Sequence, residues 1–237
     1  MKLSLPVYRL KREAKALARA ENIPHHEALD RIAAAQGYAR WSLLAARFSQ
    51  DSPARAVYAT LAAGDLVLVA ARPGHGKTLM SLEIAVEAMR SGHPCAFFSL
   101  EYTEHDILDR FRAIGVEPAR HDGHFTFDRS DAISADHIIS ALGGFPQGAV
   151  VVIDYLQLLD QKRRNPDLQT QVRSLKDFAR KKRLTMIFIS QVDRSYDPAK
   201  KPLPDLGDVR LPNPLDLSLF DKSCFLNDGE MRLHVAA

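Results

Sequence analysis

The chain of 237 residues holds two cysteines, one tryptophan and no apolar run near the ~20 residues that a membrane-crossing helix needs. Its basic amino terminus lacks the apolar core of a secretory signal. No membrane partner is therefore expected. Cys95 and Cys224 each sit in an apolar, strand-like segment, which points to two buried free thiols in a reducing cytoplasm rather than a disulfide. Charge of one sign is also scarce. The 32 Lys and Arg nearly balance 29 Asp and Glu, and a net of +3 is too small to argue for a nucleic-acid partner from the sum alone. Internal repeats and low-complexity tracts are absent. What remains, 46% hydrophobic and 26% charged, suits a globular protein with one large domain, or a main domain with a small appendage.

The most informative stretch is Ala71-Arg72-Pro73-Gly74-His75-Gly76-Lys77-Thr78. It follows the G-x-x-x-x-G-K-[ST] pattern of a phosphate-binding loop, with Ala71 at the first glycine position. A triphosphate is a dense anion that needs several donors at close range. Gly74 and Gly76 let backbone N–H groups curl around it. Lys77 brings positive charge to the β- and γ-phosphates, and the Thr78 hydroxyl can ligate Mg²⁺. A helix opening near Gly76 and continuing through Leu79 aims its dipole at the same anion. The flanks agree. Asp65–Ala70 reads as a buried parallel strand, and Leu79–Met89 has apolar residues at helical spacing.

Residues 5–48 read as a small helical module, made of a basic helix over Val7–Ala20, a second helix with Ala28, Leu29, Ile32 and Ala33 on its apolar face, and a third helix around Trp41–Phe48. Gln50-Asp51-Ser52-Pro53 reads as a linker, giving a module over 1–50 and an α/β domain over 55–237. In the latter, strands are expected at 66–70, 95–100, 149–154 and 184–190, with helices near 77–91, 104–114, 134–142 and 168–183. That alternation indicates a mostly parallel sheet with helices on both faces. Strands near 222–227 and 230–235, joined through Asp228-Gly229, are expected to form an antiparallel edge. Residues 193–216, with five prolines, read as a long loop.

Three features fall at the carboxyl ends of these strands, where open α/β sheets bind ligands. Val150–Asp154 ends in an aspartate suited to holding Mg²⁺ through water. Phe97-Phe98-Ser99-Leu100-Glu101 ends in a carboxylate that can orient or deprotonate an attacking water. Ile187-Phe188-Ile189-Ser190-Gln191 ends in an amide able to contact a γ-phosphate.

Taken together, A-R-P-G-x-G-K-T, F-S-L-E, V-I-D-Y-L-Q-L and S-Q-x-x-R-S resemble the ATPase domain of DnaB-type replicative helicases, a RecA-like P-loop family, over roughly residues 60–226. Pro204–Arg210 is also similar to a loop that follows in that family. The resemblance implies a RecA core, ATP and Mg²⁺ as cofactors, a hexameric ring and single-stranded DNA in a central channel. Carried over by motif, Arg72 to Leu79 bind the nucleotide, Thr78 and Asp154 the metal, Glu101 is the general base and Gln191 the γ-phosphate sensor. The family's K-x-R-x-G finger has no counterpart in the sequence. Arg232 is the nearest substitute, and a plain surface arginine is the simpler reading. Residues 1–50 do not resemble the family's primase-interacting domain. The resemblance thus extends to an ATPase core and stops short of processive unwinding.

In RecA-like rings the loop after the metal-side strand faces the channel. Lys162, Arg163 and Arg164 sit there and suit backbone phosphates, whose contacts need charge rather than base reading. The basic run Arg180–Arg183 reads instead as a helix carboxyl terminus favouring cations. In the module, Ala33, Gly37 and Leu43 fall at helix-turn-helix spacing, but a structural or protein-docking bundle is the preferred reading. Two other functions compete with a DNA-coupled ATPase: a nucleotide-dependent assembly or docking switch acting through residues 1–50, and a small-molecule phosphotransferase.

Overall fold

The computed structural model describes residues 7–50, 52–114, 116–117, 123–160, 165–211 and 213–236. The chain divides into two compact units, 1–56 and 57–237.

In the first unit, α1 (Val7–Glu21), α2 (His25–Ala35) and α3 (Trp41–Gln50) enclose a small core of Leu10, Ala33 and Leu44, flanked by Ile32, Tyr38 and Trp41. Gly37, at φ +83°, turns the chain out of α2, a left-handed conformation that glycine adopts without a Cβ clash. The Trp41 N–H donates to Asp30 Oδ1 at 2.7 Å, which ties the start of α3 to α2. A fourth helix, α4 (Pro53–Thr60), spans the boundary between units. The linker reading of Gln50–Pro53 is thus corrected. Gln50 closes α3, and Pro53 opens α4 at the first helical position, where its missing N–H costs nothing.

Among the described residues of the second unit, seven strands form one sheet in the order β3-β2-β4-β5-β1-β6-β7. They are β1 (Leu66–Ala71), β2 (Cys95–Ser99), β3 (Phe125–Asp128), β4 (Val150–Asp154), β5 (Thr185–Gln191), β6 (Lys222–Asn227) and β7 (Glu230–Val235). All neighbours pair in parallel except β6 and β7. The late hairpin is antiparallel within itself, as expected, but β6 runs parallel to β1, so only β7 is an antiparallel edge. Strand β3 was not anticipated. It is a four-residue edge strand with an exposed Thr126, too short and too open for a strand pattern to register.

The central strands are buried along their whole length, which explains their continuous Val, Ile and Phe content. Alternate residues serve opposite faces. Leu66, Leu68, Phe98, Val151, Ile153 and Phe188 pack with α7 (Ala135–Ala141) and α8 (Leu168–Lys182). On the other face α5 (Lys77–Arg90) lies over β1, β2, β4 and β5. Helix α6 (Glu104–Ala113) follows β2 and opens with a capping box between Thr103 and Asp106. Cys95 and Cys224 are free and buried, and burial pushes both thiols up to about 12.

The long segment after β5 is anchored at several points between residues 192 and 209. Val192 bridges Val209, Lys201 pairs with Asp205 and Asp208, and the Tyr196 hydroxyl donates to the Lys201 carbonyl at 2.7 Å.

Candidate nucleotide site

Parallel pairing sets the carboxyl ends of β1, β2, β4 and β5 along one edge of the sheet. Ser99 lies opposite Asp154, and Ala71 lies opposite Gln191. Strand β1 is separated from β2 by β4 and β5, so the loop leaving β1 opens into a crevice where the strand order reverses. The residues expected to meet the nucleotide come from the β1–α5 loop, the first turn of α5, and the ends of β2, β4 and β5 at this edge.

The loop between β1 and α5 has the conformation its glycines allow. Gly74 and Gly76 stand at φ +81° and +91°, and a Cβ on either would meet no atom within 4 Å. Glycine is needed here for backbone angle, and the space above the loop is open. Gly76 is the N-cap of α5, yet no side chain caps the helix. Its first-turn N–H groups have no partner within the helix and face that space. Lys77 and Thr78 begin the helix, with Lys77 half-buried and Thr78 buried.

Asp154, fully buried at the end of β4, accepts a hydrogen bond from Thr78 Oγ1 at 3.3 Å through Oδ2. Its Oδ1 is buried without a hydrogen-bond partner. Burial, with the nearby Glu101 charge second, pushes the Asp154 carboxyl up to about 6, against the opposing pull of Lys77, the Thr78 hydrogen bond and Arg110. Glu101 is exposed just beyond β2, its N–H bonded to Ser99 Oγ at 3.1 Å. An unpaired buried carboxylate oxygen beside a threonine hydroxyl, a lysine and an open ring of N–H groups is a donor set that suits a metal-bound phosphate.

The other expected residues are tied to neighbouring loops. The Arg72 guanidinium donates to the Tyr196 carbonyl at 2.5 Å and lies over the Tyr196 ring, 5.4 Å from its centroid. Its side chain is thereby committed to the segment after β5. His75 Nδ1 accepts the Asp228 N–H at 3.1 Å, which joins the phosphate loop to the β6–β7 turn. Gln191 is half-buried. Its carbonyl accepts from the Arg210 N–H at 2.8 Å, and its Oε1 from Arg210 Nη1 at 3.4 Å. Arg232 is exposed on β7, opposite Phe225. Lys162, Arg163 and Arg164 lie outside the described residues.

Two residues at this edge were not singled out from the sequence. Gln157 donates to the Arg210 carbonyl at 2.9 Å and to Ser190 Oγ at 3.4 Å, with its Oε1 buried and unpartnered. Arg110 on α6 lies over the Tyr102 ring, 4.4 Å from its centroid, with a buried, unpartnered Nε. Gln157 stood inside the D-Y-L-Q-L motif, so its position was visible though its contacts were not. Arg110 carried no signal beyond its place on the helix after Glu101.

The model of the KaiC ATPase family matches residues 55–203. The chain belongs to this family. It is a nucleotide-binding ATPase of the RecA-like P-loop fold. A probable replicative DNA helicase of Trieres chinensis is 29% identical over 62% of this chain and 39% of its own length. The replicative helicase DnaB of Leifsonia xyli is also 29% identical, with the same two shares. The chain therefore spans about two-fifths of the length of these two relatives. Among solved structures, a DnaB-like replicative helicase studied with primase aligns at a TM-score of 0.57 and 24% identity, covering 69% of this chain and 47% of that one. A KaiC-like protein of Pyrococcus horikoshii aligns at a TM-score of 0.50 and 15% identity, covering 68% and 70%. At those identities the structural matches speak for the fold. No helix of the described residues is long and apolar enough to cross a membrane.

Proposed function

We propose that this chain hydrolyses Mg-ATP at the carboxyl edge of its sheet and couples turnover to single-stranded DNA. The observation that carries the reading is the Thr78–Asp154 contact of 3.3 Å beneath an uncapped helix terminus, with Asp154 Oδ1 left unpaired. Lys77 and the N–H groups from Gly74 to Leu79 bind the phosphates. Thr78, and Asp154 through water, would hold Mg²⁺, whose chemistry is to neutralise charge on the transferring phosphate. Glu101 orients the attacking water and accepts its proton as the bond to the γ-phosphorus forms and ADP leaves. Gln191 contacts the γ-phosphate, and through Arg210 it passes the state of that phosphate to the 206–210 segment. Lys162, Arg163 and Arg164 meet the DNA backbone. The relatives' description as replicative helicases supports the DNA coupling. Assembly into a ring belongs to the same reading, as does a protein partner for residues 1–50.

The test is steady-state ATP hydrolysis with and without single-stranded DNA. Stimulation supports the coupled reading. Slow turnover that no polynucleotide changes would replace it with the nucleotide-dependent switch.

A further inference from the structure

The two units carry opposite charge. Residues 1–56 contain ten Lys and Arg against five Asp and Glu, a net of +5, while residues 57–237 contain 22 against 24, a net of −2. The whole chain's modest +3 therefore conceals a strongly basic small unit. Within it the charge is arranged. Leu10 and Ala14 turn one face of α1 into the three-helix core. On the opposite face Arg12, Lys15 and Arg19 are all exposed. At 100° per residue these three fall within an arc of about 60°, and Glu13, the acid nearest to them, points about 100° away from Arg12.

Among the described residues none of the three has a hydrogen-bond or ion-pair partner. The contrast within the unit is direct. Arg31 on α2 is bound by Glu21 at 2.5 Å and Glu27 at 2.7 Å. The module thus neutralises the cation of α2 and leaves Arg12, Lys15 and Arg19 of α1 without such a partner. Apart from Glu13 and Lys15, the only other exposed residue between Arg12 and Arg19 is Ala16. Between Arg12 and Arg19 no aromatic or large aliphatic side chain is exposed, so this stretch offers neither the apolar anchor of a protein interface nor the apolar face of a membrane-surface helix.

We propose that this face of α1 binds the phosphate backbone of nucleic acid, without reading sequence, as a site separate from the ATPase edge. The spacing suits that ligand. Arg12 to Arg19 spans about 10 Å along the helix, and one strand of nucleic acid presents about three phosphates over that distance. Contacts of this kind need charge and reach only, so single-stranded and duplex DNA share the chemistry. The proposal does not depend on DNA stimulating ATP turnover.

The test uses the full chain carrying Lys162→Ala, Arg163→Ala and Arg164→Ala, so that the other candidate DNA contacts are gone. Binding of a labelled 25-nucleotide strand and its duplex is followed by fluorescence anisotropy across salt, without nucleotide. Three phosphate contacts should weaken binding roughly 40-fold for the duplex and roughly 20-fold for the single strand between 50 and 200 mM salt. Adding Arg12→Ala, Lys15→Ala and Arg19→Ala should remove most of that affinity and reduce the salt slope by about 2–3. Alanine at exposed helix positions favours the fold, so the loss would not be unfolding. Arg12→Lys with Arg19→Lys should preserve both affinity and slope. Unchanged binding in the alanine variant would overturn the proposal. So would competition by polyglutamate, or by anionic lipid vesicles, as effective as unlabelled DNA at equal charge.

Discussion

At the amino edge of the sheet, Lys222 is bonded to Asp65, while Asp221 accepts from the Leu66 N–H at 2.9 Å and pairs with Lys176 and Arg180. Burial pushes the Asp221 carboxyl up, but the Leu66 amide and the Lys176 and Arg180 cations outweigh it and hold it below its ordinary range. At the carboxyl edge of the same sheet, Asp154 Oδ1 and Gln157 Oε1 are buried without partners and α5 starts without a cap. There burial wins, and Asp154 sits above its ordinary range. One edge has closed its polar groups upon each other, and the other leaves some of them unpaired. Buried polar atoms are ordinarily satisfied, so the asymmetry supports the proposal that the carboxyl edge takes the nucleotide.

That contrast can be broken from either side. The largest expected effect is Lys77→Ala, which should abolish ATP binding or hydrolysis while leaving the midpoint of thermal unfolding close to the parent's. Turnover near the parental rate would remove the phosphate loop from the mechanism. At the opposite edge, Asp65→Ala strands a buried lysine. Losing this charged, part-buried bond costs about 1.5–3 kcal/mol, to be read by urea denaturation, and per-molecule turnover in the folded fraction should be unchanged.

Asp154→Asn should act in the other direction on stability. With its carboxyl raised to about 6 from 3.8, native Asp154 holds a proton between pH ~4 and ~6 that the unfolded chain has released, so nucleotide-free stability falls as pH rises through that window. Full ionisation by neutral pH costs at most about 3 kcal/mol. The asparagine variant should therefore be about 2 kcal/mol more stable than the parent at pH 7, lose the pH dependence from this site, and lose Mg-ATP turnover. Identical pH profiles of thermal unfolding for parent and variant would contradict this. The smallest effect belongs to the link between loops. Arg72→Ala removes the bond to the Tyr196 carbonyl and should cost about 1–2 kcal/mol of stability by urea denaturation, with a modest change in turnover.

Much of this was legible in the sequence because it rests on local pattern. Buried parallel strands announce themselves as Val and Ile runs, and the glycines of the phosphate loop mark a backbone that side chains would strain. Glu101, Asp154 and Gln191 could be placed because each ends a strand, and parallel register carries strand ends to one edge. What escaped was short or distant. Strand β3 has four residues and an open face. Pro53 looked like a break where it starts a helix. The bonds from Gln157 to Ser190 and Arg210 cross 33 and 53 residues of sequence, and the Arg72–Tyr196 contact crosses 124, separations over which no periodicity speaks. The basic character of α1 was visible as composition, but that Arg31 is paired and Arg12, Lys15 and Arg19 are not could come only from the folded module.

The central claim is that the carboxyl edge is built for hydrolysis, with Glu101 acting on water. It is tested most directly by measuring ATP affinity and single-turnover hydrolysis on the same preparation of Glu101→Gln. The account predicts binding close to the parent's and hydrolysis slowed about 10²–10⁴-fold, the usual contribution of a general base. Parental hydrolysis in that variant would contradict it.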